Sequence, residues 1–171
     1  GKKLKGSVVD LGGTYGSTVL GTCNVMMAAV LGEGRTIIEN AACEPEVQDL
    51  ANFLNKAGAD ISAIGEKNLI IEGVDKLNGC TYPVMPDRIE TGTYAMAAAM
   101  TKGELVLEKT SLSLLPLVTE TLRQVGLSLE QVGDDVHVGA PKGGIKTQDL
   151  STEPFPGFPT DLQAQFMTLM T

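Results

Sequence analysis

Apolar positions along the chain alternate between a period of two and a period near 3.6, so strands and helices take turns. Leu4 to Val9 reads as a strand. Thr22 is placed to cap a helix running through Val25, Met26, Ala28, Ala29 and Leu31, which Gly32 and Gly34 end. Thr36 to Glu39 is a second strand. Glu44-Pro45 opens the clearest helix: a carboxylate stands at its positive end and proline at a tolerated early position. Val47, Leu50, Ala51 and Leu54 form its apolar face and Gly58 its stop. Asp60–Ala63 and Leu69–Ile71 then flank Gly65 to Asn68 as a hairpin.

The same order recurs about every 70 residues. Leu77-Asn78-Gly79 echoes Leu4-Lys5-Gly6 at a spacing of 73. Gly103 follows Gly34 by 69, after a helix containing Met96 to Ala99. Glu104 to Glu108 is the strand, Pro116 to Val125 the second helix, and Gly126 lies 68 beyond Gly58. Leu127–Leu129 and Val136–Val138 close the unit through Gly133-Asp134-Asp135. The reading is an α/β chain with two copies of a β-α-β-α-β-β unit. A third copy starts after Pro141: Pro159-Thr160-Asp161 stands 73 residues beyond Pro86-Asp87-Arg88 and opens a helix with Leu162, Gln165, Phe166 and Leu169 on one side. Because the pattern breaks off inside that helix, the expectation is a piece of a longer protein. Its incomplete third unit would leave apolar surface open and drive self-association.

Composition narrows the function. With 43% apolar and 20% charged residues the chain builds a core, and with no Trp and few aromatics that core is aliphatic. A net charge of −8 argues against a nucleic-acid partner. No apolar run approaches the ~20 residues that span a bilayer, and Lys2, Lys3 and Lys5 lead into a strand and not a signal-peptide core. Cys23, Cys43 and Cys80 are too scattered for a disulfide framework or zinc site and read as small buried hydrophobes in a cytoplasmic protein. His137, alternating with Val136 and Val138, reads as a solvated strand side chain, so neither a metal nor another cofactor is expected.

Four segments have residues suited to chemistry. Asp10 to Thr22, with Gly12, Gly13, Gly16 and Gly21, is a glycine-rich loop leading into a helix. Its N–H groups and hydroxyls suit a phosphate or diphosphate, although a plain strand-to-helix connection has equal weight. Glu44 and Glu46 fit helix-start carboxylates. In Pro86 to Gly92, Asp87, Arg88 and Glu90 stand close enough to interact around a helix start, and Arg88, one of three arginines, suits equally an anion or an Arg–carboxylate clamp holding two units together. In Phe155 to Phe166, prolines and aromatics stiffen the approach to Asp161. That carboxylate is either a helix N-cap or a base for a sugar hydroxyl.

Together, Met26-Met27-Ala28-Ala29, Ile38-Glu39-Asn40-Ala41-Ala42, Glu44-Pro45-Glu46, Asp49 to Leu54, Pro86 to Gly92 and Phe158 to Phe166 resemble the UDP-N-acetylglucosamine 1-carboxyvinyltransferases over essentially the whole chain. The resemblance implies the enolpyruvate transferase fold, an inside-out α/β barrel of two domains with three such units each. Residues 1–85 would be the last unit of the first domain and 86–171 the truncated start of the second. It implies transfer of the carboxyvinyl group of phosphoenolpyruvate to the 3-hydroxyl of UDP-N-acetylglucosamine with release of phosphate, a cytoplasmic step of peptidoglycan synthesis and so of cell-wall and cell-shape maintenance. Asp161 would be the catalytic base, Gly16, Ser17, Thr18 and Val19 the loop beside the UDP-sugar, and Glu44 and Arg88 substrate-binding residues bordering a cleft. Two departures stand out: the family often carries a basic residue and Ser-Val-Gly where this chain reads Gly16 to Leu20, and Arg where it has Cys43. The family's loop with a reactive cysteine or aspartate lies upstream of Gly1, so the expectation is a chain inactive until the rest of its parent completes the site. The alternatives are a non-catalytic UDP-sugar-binding paralogue and a shikimate-3-phosphate enolpyruvyl transferase, whose basic cluster is missing here.

Overall fold

A computed structural model describes residues 3–14 and 16–171. Backbone contacts divide it into Gly1–Met85 and Pro86–Thr171.

In the first unit the strands are β1 (Val8–Asp10), β2 (Gly12–Gly13), β3 (Gly16–Ser17), β4 (Arg35–Glu39), β5 (Asp60–Ser62) and β6 (Leu69–Glu72), and the helices are α1 (Val19–Ala29) and α2 (Pro45–Lys56). Four strands make one sheet in the order β1-β4-β6-β5. β1 runs parallel to β4, which its crossover through α1 requires, and the remaining pairs are antiparallel. The predicted strand from Leu4 is shorter than expected. Among the described residues before Val8, strand pairing is reduced to a bridge between Lys5 and Glu33, where Gly6 donates to the Glu33 carbonyl at 2.7 Å. Gly6 passes so close to Arg35 that a Cβ there would lie 2.2 Å from its carbonyl oxygen. Both helices lie against the sheet, and Met26, Val30, Ile38, Val47, Ala51, Leu54, Ile61 and Ile71 pack into one core.

α1 begins four residues earlier than the pattern suggested. Thr18 caps it by accepting from the Gly21 N–H at 3.2 Å. Thr22 lies within the helix and fully buried, its hydroxyl donating to the Thr18 carbonyl at 2.8 Å and accepting from the Ala42 N–H at 3.0 Å.

The second unit consists of α3 (Arg88–Met100), β7 (Glu104–Leu107), α4 (Pro116–Gln124), β8 (Ser128–Val132), β9 (Asp135–Gly139) and α5 (Gln163–Leu169), with 3-10 turns at Leu112–Leu114 and Thr160–Leu162. Its antiparallel sheet has the order β7-β9-β8. The repeat therefore keeps its α-β-α-β-β part, while the strand expected at Leu77–Gly79 is absent. Tertiary contacts hold that stretch to the first unit instead. Asn78 donates to the Ala57 carbonyl at 2.7 Å, the Tyr82 hydroxyl bonds Asp49 Oδ1 at 2.8 Å, and Tyr82 meets Phe53 edge to face. Among the described residues, the edge of β7 that would correspond to the β1 side of β4 is unpaired. An open cleft of 560 Å³ lies beside it, lined by Asp87, Glu90, Tyr94 and Leu105 among others.

The start of the third repeat is not left open, as the truncated pattern suggested. Leu162, Phe166 and Leu169 are buried in the same core as Ala95, Met96 and Ala99 of α3, because α5 packs directly on that helix.

Candidate functional site

The glycine-rich loop and the Asn40–Glu44 loop both leave the carboxyl ends of parallel strands, β1 and β4, and each leads into a helix. Such ends are where crossover connections gather binding groups in α/β sheets. The Asp10 carboxylate organises the first loop. Its Oδ1 accepts from the Gly12 N–H at 2.8 Å and from the Asn40 side-chain amide at 2.9 Å. The Asn40 amide foremost, with the Gly12 N–H second, holds the Asp10 carboxyl below its ordinary value of 3.8. Asn40 itself adopts the left-handed backbone (φ 52°) that asparagine tolerates better than most residues.

Beyond Asp10 the loop folds as a small ribbon, Gly12 opposite Ser17 and Gly13 opposite Gly16, with Gly16 at φ 105°. Tyr15, within the glycine-rich segment, lies outside the described residues. Thr18 and Val19 then enter α1, whose first turn contains no acidic side chain. α2 and α3 differ, with Glu46 and Glu90 in their first turns. The first turn of α1 therefore places no carboxylate against the positive end of the helix dipole, and its Gly21 N–H is taken by the Thr18 hydroxyl. Of the predicted loop residues, Gly16, Ser17, Thr18 and Val19 all belong to this arrangement.

Glu44 is buried at the N-cap of α2, where its carbonyl accepts from the Val47 N–H at 3.0 Å and the Gln48 N–H at 3.2 Å. Burial pushes the thiols of Cys23 and Cys43 up from 9.0, and nearby carboxylates add to the effect: Glu46 and Glu44 on Cys23, Glu44 on Cys43. Both therefore stay protonated at neutral pH and are poor nucleophiles. All three cysteines are free and half-buried, less enclosed than expected.

In the second unit, Asp87 caps α3 by accepting from the Ile89 and Glu90 N–H groups at 2.8 and 3.1 Å. Arg88, only 6% exposed, stacks its guanidinium over the Phe155 ring at 5.9 Å and so lies against the segment leading to Asp161.

Asp161 lies in the 3-10 turn between two fully buried residues, Phe158 and Leu162. The N-cap role suggested by its position is not the one it plays. Pro159 occupies the cap of that turn and Leu162 the cap of α5, neither with a side-chain bond. The Asp161 carboxylate is exposed and takes no side-chain hydrogen bond among the described residues. A rigidly seated carboxylate with open lone pairs can accept a hydroxyl proton from a bound molecule. His137 is exposed on β9, and among the described residues no three potential ligands gather as a metal site. Nor, among them, is any helix long and apolar enough to cross a membrane.

Two features escaped local pattern: the Asp10–Asn40 bond and the Thr22–Ala42 bond. The Asp-x-Gly spacing at residues 10–12 signals an Asx turn, which is a clue to the first. The second had no sequence clue.

A family model described as EPSP synthase (3-phosphoshikimate 1-carboxyvinyltransferase) matches residues 2–171. The chain belongs to the EPSP synthase family. Within this family it is 52% identical over 168 residues to the UDP-N-acetylglucosamine 1-carboxyvinyltransferase of Methylacidiphilum infernorum, covering 98% of this chain and 40% of that protein. It is 51% identical to the protein of the same name from Akkermansia muciniphila, covering 97% and 39%. The chain thus spans about 40% of the length of the curated relatives it matches. Among solved structures of the family's fold, the enolpyruvyl transferase NikO from Streptomyces tendae superposes with a TM-score of 0.83 at 17% identity, covering 98% of this chain and 42% of NikO. EPSP synthase from Acinetobacter baumannii gives 0.60 at 22% identity, covering 89% and 34%. These structures establish the enolpyruvyl transferase α/β fold of repeated units; no closed barrel is formed by the residues described.

Proposed function

We propose that these 171 residues are part of a UDP-N-acetylglucosamine 1-carboxyvinyltransferase, with 1–85 completing its first domain and 86–171 opening its second. The carrying observation is identity of about 50% across nearly the whole chain to proteins of that name. Substrates are UDP-N-acetylglucosamine and phosphoenolpyruvate. A proton adds to the methylene carbon of phosphoenolpyruvate while the sugar 3-oxygen bonds to the neighbouring carbon. Asp161 takes the hydroxyl proton. The tetrahedral adduct then loses a proton from its new methyl group and expels phosphate, which restores the alkene.

In this reading Gly16, Ser17, Thr18 and Val19 face the diphosphate with the N–H groups and dipole of the α1 start. Glu44 and Arg88 border the substrates, with Glu44 shaping the start of α2 and Arg88 bracing Phe155. Three arginines are few for a doubly charged leaving group, so the rest of the parent chain supplies the remaining cations and the reactive loop. The product is a peptidoglycan precursor made in the cytoplasm. Transfer to a shikimate phosphate has in its favour only the family description and likenesses of 22% identity.

Phosphate release from phosphoenolpyruvate by the complete polypeptide, with and without UDP-N-acetylglucosamine, tests this. Release that requires the sugar nucleotide supports the assignment. A folded complete protein that releases none favours a non-catalytic UDP-sugar-binding paralogue, and release driven by shikimate 3-phosphate would replace the assignment outright.

A further inference from the structure

Gly92 lies inside α3 and is not among the residues with positive φ, so no unusual backbone conformation calls for glycine there. Inside a helix glycine is otherwise unfavourable relative to alanine. The reason for it lies 70 residues away in sequence: a Cβ built on Gly92 would stand 2.6 Å from Leu162 Cδ1 and 3.3 Å from Cδ2. Leu162 directly follows Asp161. We infer that Gly92 is a positioning residue for Asp161, because the absent side chain leaves the seat into which Leu162 locks the turn bearing the carboxylate. This rests on the reading of Asp161 as the group that engages the sugar hydroxyl.

The geometry makes the coupling direct. Carbon atoms pack at about 3.5–4.0 Å, so an added methyl at position 92 displaces the Leu162 side chain by about 1 Å. Leu162 has no exposed surface, so it cannot swing into solvent, and a close-packed core passes the displacement to the backbone of Thr160–Leu162. Other ties leave that turn little freedom. Leu162 donates to the Pro159 carbonyl at 3.1 Å, Phe158 meets Phe166 edge to face with centroids 5.5 Å apart, and the Gln165 amide donates to the Thr93 hydroxyl at 3.0 Å beside Gly92. Asp161 is exposed and held by no side-chain bond among the described residues, so its placement follows that of its buried neighbours.

The test uses the complete polypeptide with UDP-N-acetylglucosamine and phosphoenolpyruvate. Gly92→Ala is expected to lower kcat about a hundredfold, the typical loss for a misplacement of about 1 Å, with KM for the sugar nucleotide little changed. Leu162→Val retracts the methyl groups from position 92, so the pair Gly92→Ala/Leu162→Val recovers most of that loss. A purely structural glycine predicts no such split between kcat and KM, only a loss of stability that the pair restores. Should Gly92→Ala not fold, Leu162→Val alone loosens the seat and lowers kcat, and an unaltered kcat overturns the inference. The backbone amide signals of Asp161 and Leu162 give a readout independent of the reaction. They shift in Gly92→Ala and return in the pair, whereas unmoved signals overturn the positioning role. An inactive wild-type protein would instead overturn the assignment of function.

Discussion

Replacing Thr22 with valine removes one hydroxyl at nearly constant shape and tests how the two loops of the first unit are held together. The Thr22 hydroxyl is fully buried and bridges the Thr18 carbonyl, at 2.8 Å, and the Ala42 N–H, at 3.0 Å. The Thr18 carbonyl loses little in Thr22→Val, because it still accepts from the Thr22 N–H at 3.0 Å. The Ala42 N–H loses its partner inside a buried contact. An orphaned buried donor costs about 1–3 kcal/mol, so the first unit should lose about 2 kcal/mol, roughly a thirtyfold change in its unfolding constant. Thr22→Ser keeps both bonds and loses one methyl, which costs about 1 kcal/mol. The assay is urea unfolding combined with amide hydrogen exchange. Thr22→Val should speed exchange at Ala42 selectively, and Thr22→Ser should not. An Ala42 amide still protected in a valine variant of unchanged stability would refute the reasoning.

Three further outcomes follow from particular contacts. Because the Asp10 pKa is depressed in the folded state, its contribution to stability is present above the ordinary value of 3.8 and is lost as pH falls through the lower folded value. Removing its main partner with Asn40→Ala should raise the Asp10 pKa in an NMR titration; an unmoved value would contradict the bond. Cys23 and Cys43, pushed above 9.0 by burial, should resist alkylation in native protein at pH 7 and become reactive only at higher pH, and rapid labelling of either at pH 7 would show that the thiols are misplaced. Phe158→Ala removes a fully buried ring packed against Phe166 and should destabilise the second unit by about 3–5 kcal/mol in denaturant titration. A cost near zero would mean that this aromatic pair does not hold the approach to Asp161.

Periodicity and punctuation carried most of the architecture. Pro45 and Pro116 open their helices where a missing N–H costs nothing, so α2 and α4 fall within a residue of their sequence-based bounds. Failures occur where a distant contact decides between local options. Thr18 and Thr22 are both competent caps, and the choice rests on Ala42, twenty residues beyond Thr22. Leu77-Asn78-Gly79 repeats the pattern of Leu4-Lys5-Gly6, but Ala57 and Asp49 hold its neighbourhood in another conformation. Around Asp161 the start of a helix was legible, whereas the cap suggested for that carboxylate is not formed: Pro159 holds the cap position and the Asp161 side chain is exposed. Gly92 has no local signature either, since its reason is a leucine methyl from another helix's entry turn.

The measurement that bears most directly on the proposed chemistry is Asp161→Ala in the complete polypeptide, read for both stability and transfer. The exposed Asp161 carboxylate takes no side-chain bond among the described residues, so thermal stability should match wild type, while sugar-nucleotide-dependent phosphate release falls by about a hundredfold or more. Full release from a stable Asp161→Ala protein would contradict the assignment of Asp161 as the base.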